Sequence, residues 1–239
     1  MKTFRRLLLL VAAASLSSAA PVRAAIVAYN IDETLSSLTL TGSIFGQPFS
    51  EQSPGSLVDF WDGTIIGDLV GDTLSFSGGS DVRALLHASA PFLPTSGGVA
   101  NYGVAVPGIL GVAAFRDLAF DFTTGSITNG MAPTGSGVTV LSGGMDYFVQ
   151  PATSGFSSSA GKTATNIATA LVSLSISGNI ETLSLPYRTT NTGSNGLVQT
   201  FTGTLVATRP VPEPSSAALL LCGVAALVRR RSPVEADSR

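Results

Sequence analysis

Short segments in which apolar and polar residues alternate recur through the middle of this chain. Such alternation is typical of strands with one buried face, because successive side chains of a strand point to opposite faces of a sheet. Gly-Gly, Asp-Gly and Asn-Gly turn signals separate the segments. The pattern predicts an all-β body, an antiparallel β-sandwich, although it also fits a barrel. The alternating segments are 38–40, 74–76, 118–122, 172–176, 183–187 and 201–207.

Three other stretches refine this prediction. Residues 82–90 are the one part of the body that sustains a helical period, so a short helix fits there. Pro186 lies within an alternating segment and predicts an edge strand or a bulge, because proline has no N–H for a ladder. The glycine-punctuated segment 101–114 fits either a buried strand pair or an apolar surface loop.

The N-terminus has the pattern of a secretory signal peptide. Basic residues precede the uncharged apolar run 7–16, which is shorter than a transmembrane anchor requires. Val22 and Ala24 supply the small side chains that a signal peptidase needs. We therefore expect cleavage after Ala24, so that the mature chain begins at Ala25.

The charge of the body excludes one class of partner. Residues 25–209 carry twelve acidic and five basic side chains, a net charge of −7. An acidic surface repels phosphate backbones, so we expect no nucleic-acid partner. The single cysteine, Cys222, lies outside the body, which therefore has no disulfide and no cysteine metal site.

Three physical elements adjoin near the C-terminus. The first is the proline-rich motif Val211, Pro212, Glu213 and Pro214. Such a segment stays extended because proline has no backbone N–H to donate. An uncharged run of 14 residues follows, and as a helix it would be about 21 Å long against a hydrocarbon core of about 30 Å. Three arginines complete the series, and the positive-inside rule would keep them in the cytoplasm. They are Arg229, Arg230 and Arg231.

These elements resemble the sorting signal of PEP-CTERM proteins. The resemblance implies an exosortase-like membrane enzyme that processes the tail, in Gram-negative bacteria that often make exopolysaccharide. It covers about the last thirty residues, and the extension 232–239 departs from the usual pattern. The chain then divides into a signal peptide (1–24), a β-rich extracellular body (25–209), a sorting segment with a short transmembrane helix (210–231) and a polar tail. We expect at least transient anchoring in the inner membrane, then a location at the cell surface or outside the cell.

No catalytic constellation is evident in the body, and we expect neither a catalytic residue nor a cofactor. His87 is the only histidine and lies in an Ala/Leu context without a Gly-x-Ser-x-Gly motif, so a structural role is favoured. The segment 155–163 has five residues between its glycines where a phosphate-binding loop requires four.

The densest set of acids lies near the only tryptophan. Solvated turn aspartates explain such a set best, but carboxylates on neighbouring loops also suit calcium, and a pair of them suits a glycosidase. Trp61 is expected in the core, with contact to a sugar as the alternative, because an exposed tryptophan with polar neighbours often stacks on carbohydrate. The acids are Asp59, Asp62, Asp68, Asp72 and Asp81.

The leading functional prediction is a non-enzymatic surface or matrix protein that acts by adhesion or by association with extracellular polysaccharide. One alternative is a secreted, glycosidase-like hydrolase, which a cleft with two close carboxylates, or His87 bonded to a serine and an aspartate, would favour. The other is a calcium-stabilised carbohydrate-binding module, although we predict no metal site.

Overall fold

The computed structural model describes six stretches of the chain. The signal peptide with Ala24, the side chains of Asp59 and His87, and the tail beyond Val211 with Arg229–Arg231 lie outside them. The described residues are 25–51, 61–85, 101–106, 111–149, 153–193 and 196–211.

Fifteen β-strands and no α-helix make up the described part of the chain. The prediction of an all-β, antiparallel body is confirmed. The strands are β1 (Ala25–Ile31), β2 (Ser37–Ile44), β3 (Gln47–Glu51), β4 (Trp61–Val70), β5 (Thr73–Ser75), β6 (Asp81–Ala84), β7 (Tyr102–Val106), β8 (Gly111–Thr124), β9 (Ser126–Thr128), β10 (Gly137–Val149), β11 (Thr153–Ser158), β12 (Thr163–Thr165), β13 (Ser173–Ser177), β14 (Ile180–Thr192) and β15 (Val198–Pro210).

Two long strand pairs dominate the sheet. β14 pairs with β15 over 13 positions, and β8 pairs with β10 along most of its length. The other edge of β15 carries β2 and then β1, and the other edge of β8 carries β7 and then β6. Two arms, β2–β3–β7 and β1–β4–β6, therefore connect the long pairs. All fifteen strands belong to one sheet, whereas a sandwich in the strict sense has two sheets. The sheet is continuous because each long strand pairs along one edge with two short strands in succession.

The sheet curls on itself around an aromatic core. Phe120 of β8 stacks on Tyr187 of β14, with ring centroids 5.1 Å apart and planes 6° apart. Trp61 of β4 packs against Phe120 and against Phe201 of β15, with centroids 4.8 and 6.0 Å apart. These contacts join strands that are not neighbours in the sheet. Burial of each such side chain contributes roughly 1.5–3 kcal/mol, which holds the curl closed.

Both segments 82–90 and 101–114 form strands where the structure describes them. The helical interpretation of 82–90 is wrong for its described part, since β6 alternates buried Val82 and Ala84 with the more exposed Asp81 and Arg83. The described parts of the segment 101–114, residues 101–106 and 111–114, form a buried strand pair between β7 and the start of β8.

Pro186 occupies an edge position, as its sequence context predicts. β13 pairs with β14 only as far as Ser184, so beyond that point one edge of β14 is paired with no described strand. Pro186, which lacks an N–H, lies in this part of β14. Its carbonyl oxygen accepts a hydrogen bond from Asn166 Nδ2 at 3.0 Å. The proline therefore leaves no ladder bond unmade.

Candidate functional site

An open cleft of about 360 Å³ lies between β6, β8 and β10. Its volume is within the range of roughly 300–1,000 Å³ that is common for small-ligand sites. Its lining combines apolar residues with charged and hydrogen-bonding groups. The lining residues are Asp81, Arg83, Ala84, Asn101, Asp117, Leu118, Ala119, Leu141 and Ser142.

A β-bulge shapes the cleft where β8 pairs with β10. The register shifts on both sides of Ser142, and its hydroxyl donates to the Asp117 carbonyl oxygen at 2.6 Å. Asp117 has φ of 51°, in the left-handed region, and Gly143 opposite it has φ of 106°. Aspartate tolerates this conformation better than most residues, but it still costs roughly 1–2 kcal/mol. Bulges and strained residues of this kind often orient a functional side chain.

Asn101 forms the buried floor of the cleft. Its Nδ2 donates to the carbonyl oxygens of Ala84 at 2.9 Å and Leu85 at 3.1 Å. Its Oδ1 accepts from the Leu118 backbone N–H at 3.0 Å, and its own N–H donates to the Phe115 carbonyl oxygen. Since the side chain is only 2% exposed, these bonds are shielded from water. Asn101 therefore fixes the end of β6 against β8.

An exposed ion pair forms one rim of the cleft. Arg83 donates from Nε to one oxygen of Asp81 at 2.7 Å and from Nη2 to the other at 2.6 Å. This hydrogen bonding raises the pKa of the Arg83 guanidinium. Asp62, directly across from Arg83 on β4, adds a smaller effect in the same direction. Because both Asp81 oxygens accept from the guanidinium, Asp81 is poorly placed to carry the proton of a general acid.

Asp117 is the other carboxylate of the cleft, and its environment differs. Its side chain is exposed, and no described residue hydrogen-bonds its carboxylate. The cleft thus offers one carboxylate that is committed to an arginine and one that can accept hydrogen bonds from a ligand. Asp117 was not singled out by sequence reasoning, because it lies just before the alternating segment 118–122 and nothing in that pattern indicates the bulge.

The predicted acid cluster is divided by the fold. Asp62 and Asp81 flank Arg83 at one end of β4, whereas Asp68 and Asp72 lie at its other end, beside the turn into β5. Within the described ranges no group of three histidine, cysteine, aspartate or glutamate side chains is placed to hold a metal ion.

Trp61 lies in the core, and the alternative of an exposed sugar-stacking tryptophan is wrong. Its side chain is 0% exposed, and its Nε1–H donates to the Tyr102 hydroxyl at 2.7 Å. Tyr102 in turn donates to the Leu38 carbonyl oxygen at 2.8 Å. The chain of hydrogen bonds satisfies both buried polar groups. Because the Trp61 ring is fully buried, it presents no exposed face to a ligand.

Two buried ionic clusters escaped sequence reasoning. Arg116 and Asp146 form an ion pair between β8 and β10, with side chains 10% and 4% exposed. Glu181 accepts from both the Tyr29 hydroxyl and Arg209 Nε, and the Arg209 guanidinium lies over the Tyr29 ring. Burial raises the pKa of Tyr29 to about 12, Arg209 opposes the rise, and Glu181 adds to it.

The second cluster lies at the base of the predicted sorting tail. Arg209 is the penultimate residue of β15, and Val211 donates its N–H to the Asn179 carbonyl oxygen at 2.7 Å. Ala25, the predicted mature N-terminus, is the exposed first residue of β1. Pro212, Glu213 and Pro214 lie outside the described residues.

Comparison of the chain with family models, with curated proteins and with solved structures gave no match. Among the described residues no helix is long and apolar enough to cross a membrane.

Proposed function

We propose that this chain is exported, cleaved after Ala24, and sorted through its tail. The proposal is supported by the apolar run 7–16, by the motif Val211–Pro214 with its following apolar segment, and by the resemblance of that tail to PEP-CTERM signals. The tail would anchor the protein at least transiently in the inner membrane, where an exosortase-like enzyme would process it. The body would then reside at the cell surface or in the matrix.

The body, in this proposal, associates with extracellular polysaccharide through the cleft and catalyses no reaction. The observation that supports it most is the combination of apolar and polar lining residues in one open cleft. Sugars have the matching chemistry, since their rings present C–H faces beside hydroxyl edges. Leu141, which is 47% exposed, would contact a C–H face, while the Asp117 carboxylate would accept hydrogen bonds from hydroxyl groups. The net charge of −7 on residues 25–209 favours neutral or amino sugars over acidic ones.

A glycosidase-like hydrolase is the second candidate, because Asp81 and Asp117 line the same cleft. Glycosidases need one carboxyl group to donate a proton and a second to act as base or nucleophile. The bidentate contact of Asp81 with Arg83 opposes the first role. We therefore rank binding above hydrolysis.

A binding assay on the exported protein tests the proposed ligand. Asp117→Asn keeps the size of the side chain and removes its charge, so it should weaken binding to the host's exopolysaccharide about tenfold, equivalent to about 1.4 kcal/mol. Asp68→Asn, at the far end of β4, is the matched control and should bind like the parent. Equal affinity of all three proteins would contradict the assignment of the cleft. Release of reducing ends by the parent, lost in Asp117→Asn, would instead establish the hydrolase.

Tail variants test the sorting proposal separately. Replacing Arg229–Arg231 with neutral residues should remove the cytoplasmic stop, since each arginine costs roughly 2.5–3.5 kcal/mol at mid-membrane. Changing Pro212, Glu213 and Pro214 to alanine should leave anchoring intact but prevent processing, so that unprocessed protein accumulates in the membrane. Cell fractionation and mass spectrometry of C-terminal peptides measure both effects. Normal trimming and release of the alanine variant would show that the tail is an ordinary anchor.

A further inference from the structure

Large apolar side chains are exposed near the point where the tail leaves the body. Ile26 is 80% exposed, Val70 46%, Ile176 64% and Ile180 40%. We call these four residues the apolar rim. Exposed apolar groups cost free energy in water, and when they share one region they often mark a protein or membrane contact.

Strand register places the whole apolar rim at one end of the sheet. β15 ends at Pro210, which pairs with Ile180 at the start of β14. β13 also ends there, in the turn that leads into β14. Asn30 of β1 pairs with Thr208, so the antiparallel β1 begins beyond the end of β15. β4 runs antiparallel to β1 and ends beside its first residue, which brings in Val70.

The length of the tail's first part limits how far this end can lie from a bilayer. Val211 is held to the body through Asn179, and the uncharged apolar run begins at Ser215. Four residue steps span at most about 14 Å, even when fully extended. If the apolar run enters the membrane, the rim end of the body is therefore confined close to the bilayer surface.

Charge indicates which lipid surface suits this end. Asp68, which pairs with Ile26, and Asp72 in the β4–β5 turn carry negative charge there. Arg209 is paired with Glu181 and gives no spare positive charge. Anionic headgroups would be repelled, whereas zwitterionic headgroups accommodate both the carboxylates and the apolar side chains.

We propose that the apolar rim contacts the interface of the bilayer while the tail is anchored, so that the body rests on zwitterionic lipid with this end down. This inference rests on the proposed function, because the anchored tail is what brings the rim to the membrane. The turn β13–β14 would enter the headgroup region, with Ile176 and Ile180 on its two sides.

The test uses the full chain with Cys222→Ser, reconstituted in phosphatidylcholine vesicles that contain a nitroxide-labelled lipid. A fluorophore is attached to Asn179→Cys in the β13–β14 turn, or to Thr192→Cys at the opposite end of β14, where it pairs with Val198 at the start of β15. Both native side chains are exposed. We expect at least twofold stronger quenching at position 179 than at position 192. Adding 30% phosphatidylglycerol should reduce the quenching at 179.

Two variants separate the rim from the tail. Ile176→Ser with Ile180→Ser should reduce quenching at position 179 at least twofold. The matched control Phe45→Ser, which removes a side chain 48% exposed in the β2–β3 turn beside the start of β15, should not. All variants should float with the vesicles in a density gradient. Flotation without preferential quenching at 179, or without an effect of the double variant, overturns the rim contact and leaves the anchor standing. Failure of the parent to float refutes the membrane anchor of the proposed function, and the rim contact is then overturned with it.

Discussion

Asn101→Ala is the sharpest test of how the cleft is built. The substitution removes a side chain that is 2% exposed and makes three hydrogen bonds between β6 and β8. It leaves the Leu118 N–H and the carbonyl oxygens of Ala84 and Leu85 without these partners. The backbone bond of residue 101 to Phe115 is unaffected, so the chain path is preserved.

The expected loss of stability follows from those groups. A buried donor without a partner costs about 1–3 kcal/mol, and carbonyl oxygens cost less because each has a second lone pair. The cavity left by the amide adds a smaller amount. We therefore expect Asn101→Ala to lower the free energy of unfolding by about 2–4 kcal/mol, and Tm by roughly 5–15 °C for a body of this size.

Asn129→Ala is the matched control, because Asn129 accepts a single, exposed hydrogen bond from the Leu174 N–H at 3.0 Å. It should cost no more than about 1 kcal/mol. Urea denaturation followed by circular dichroism measures both variants. If Asn101→Ala falls within about 1 kcal/mol of Asn129→Ala, the three bonds do not hold β6 against β8, and the account of the cleft floor is wrong.

Three further predictions test the bulge, the ionic cluster and the core. Asp117→Gly should leave stability within about 1 kcal/mol of the parent, whereas Asp117→Val should lose about 1–3 kcal/mol by urea denaturation, because only the β-branched residue is strained at positive φ; equal losses would contradict this. The raised pKa of Tyr29 means that its neutral form contributes stability fully below pH 10, and this is lost as the pH rises through about 12. Tyr29→Phe should therefore show a shallower alkaline loss of stability in denaturation curves, and an unchanged slope would refute the assignment. Trp61 fluorescence should resist acrylamide quenching and should not respond to added polysaccharide, and a response would place the ring in contact with ligand.

Alternation of apolar and polar residues predicted the strands because only one face of each strand is buried. In β14, Leu183, Leu185 and Tyr187 are buried at every second position, as the sequence pattern requires. The same alternation contained a signal that sequence reasoning missed. Glu181 stands two residues before Leu183, so its side chain lies on the same, core-facing side of β14. A charged side chain at a core-facing position predicts a buried partner.

The alternative of an exposed Trp61 fails for a related reason. Its polar neighbour Asp62 suggested an exposed ring, but adjacent residues of a strand point to opposite faces. Trp61 points into the core, so Asp62, the next residue of the strand, points to solvent. Polar sequence neighbours therefore say nothing about the exposure of a side chain within a strand.

The cleft could not be predicted from local patterns. Asp81, Asn101 and Asp117 come from separate parts of the chain and meet only because β6 and β10 pair with β8 in a particular register. A bulge near Ser142 sets that register, and a one-residue shift would turn every later side chain to the other face. The number of strands and their alternation leave this choice open.

The strand β4 runs from the cleft to the apolar rim and sets the distance between them. Asp62, opposite Arg83 of the cleft rim, and Val70 of the apolar rim are both residues of this strand. Eight residue steps of a strand at ~3.3 Å separate them by roughly 26 Å. With the apolar rim at the bilayer, the cleft would therefore stand at most roughly 26 Å from the lipid. Because the two surfaces lie at different positions along β4, loss of the apolar rim should weaken lipid contact without weakening capture of polysaccharide.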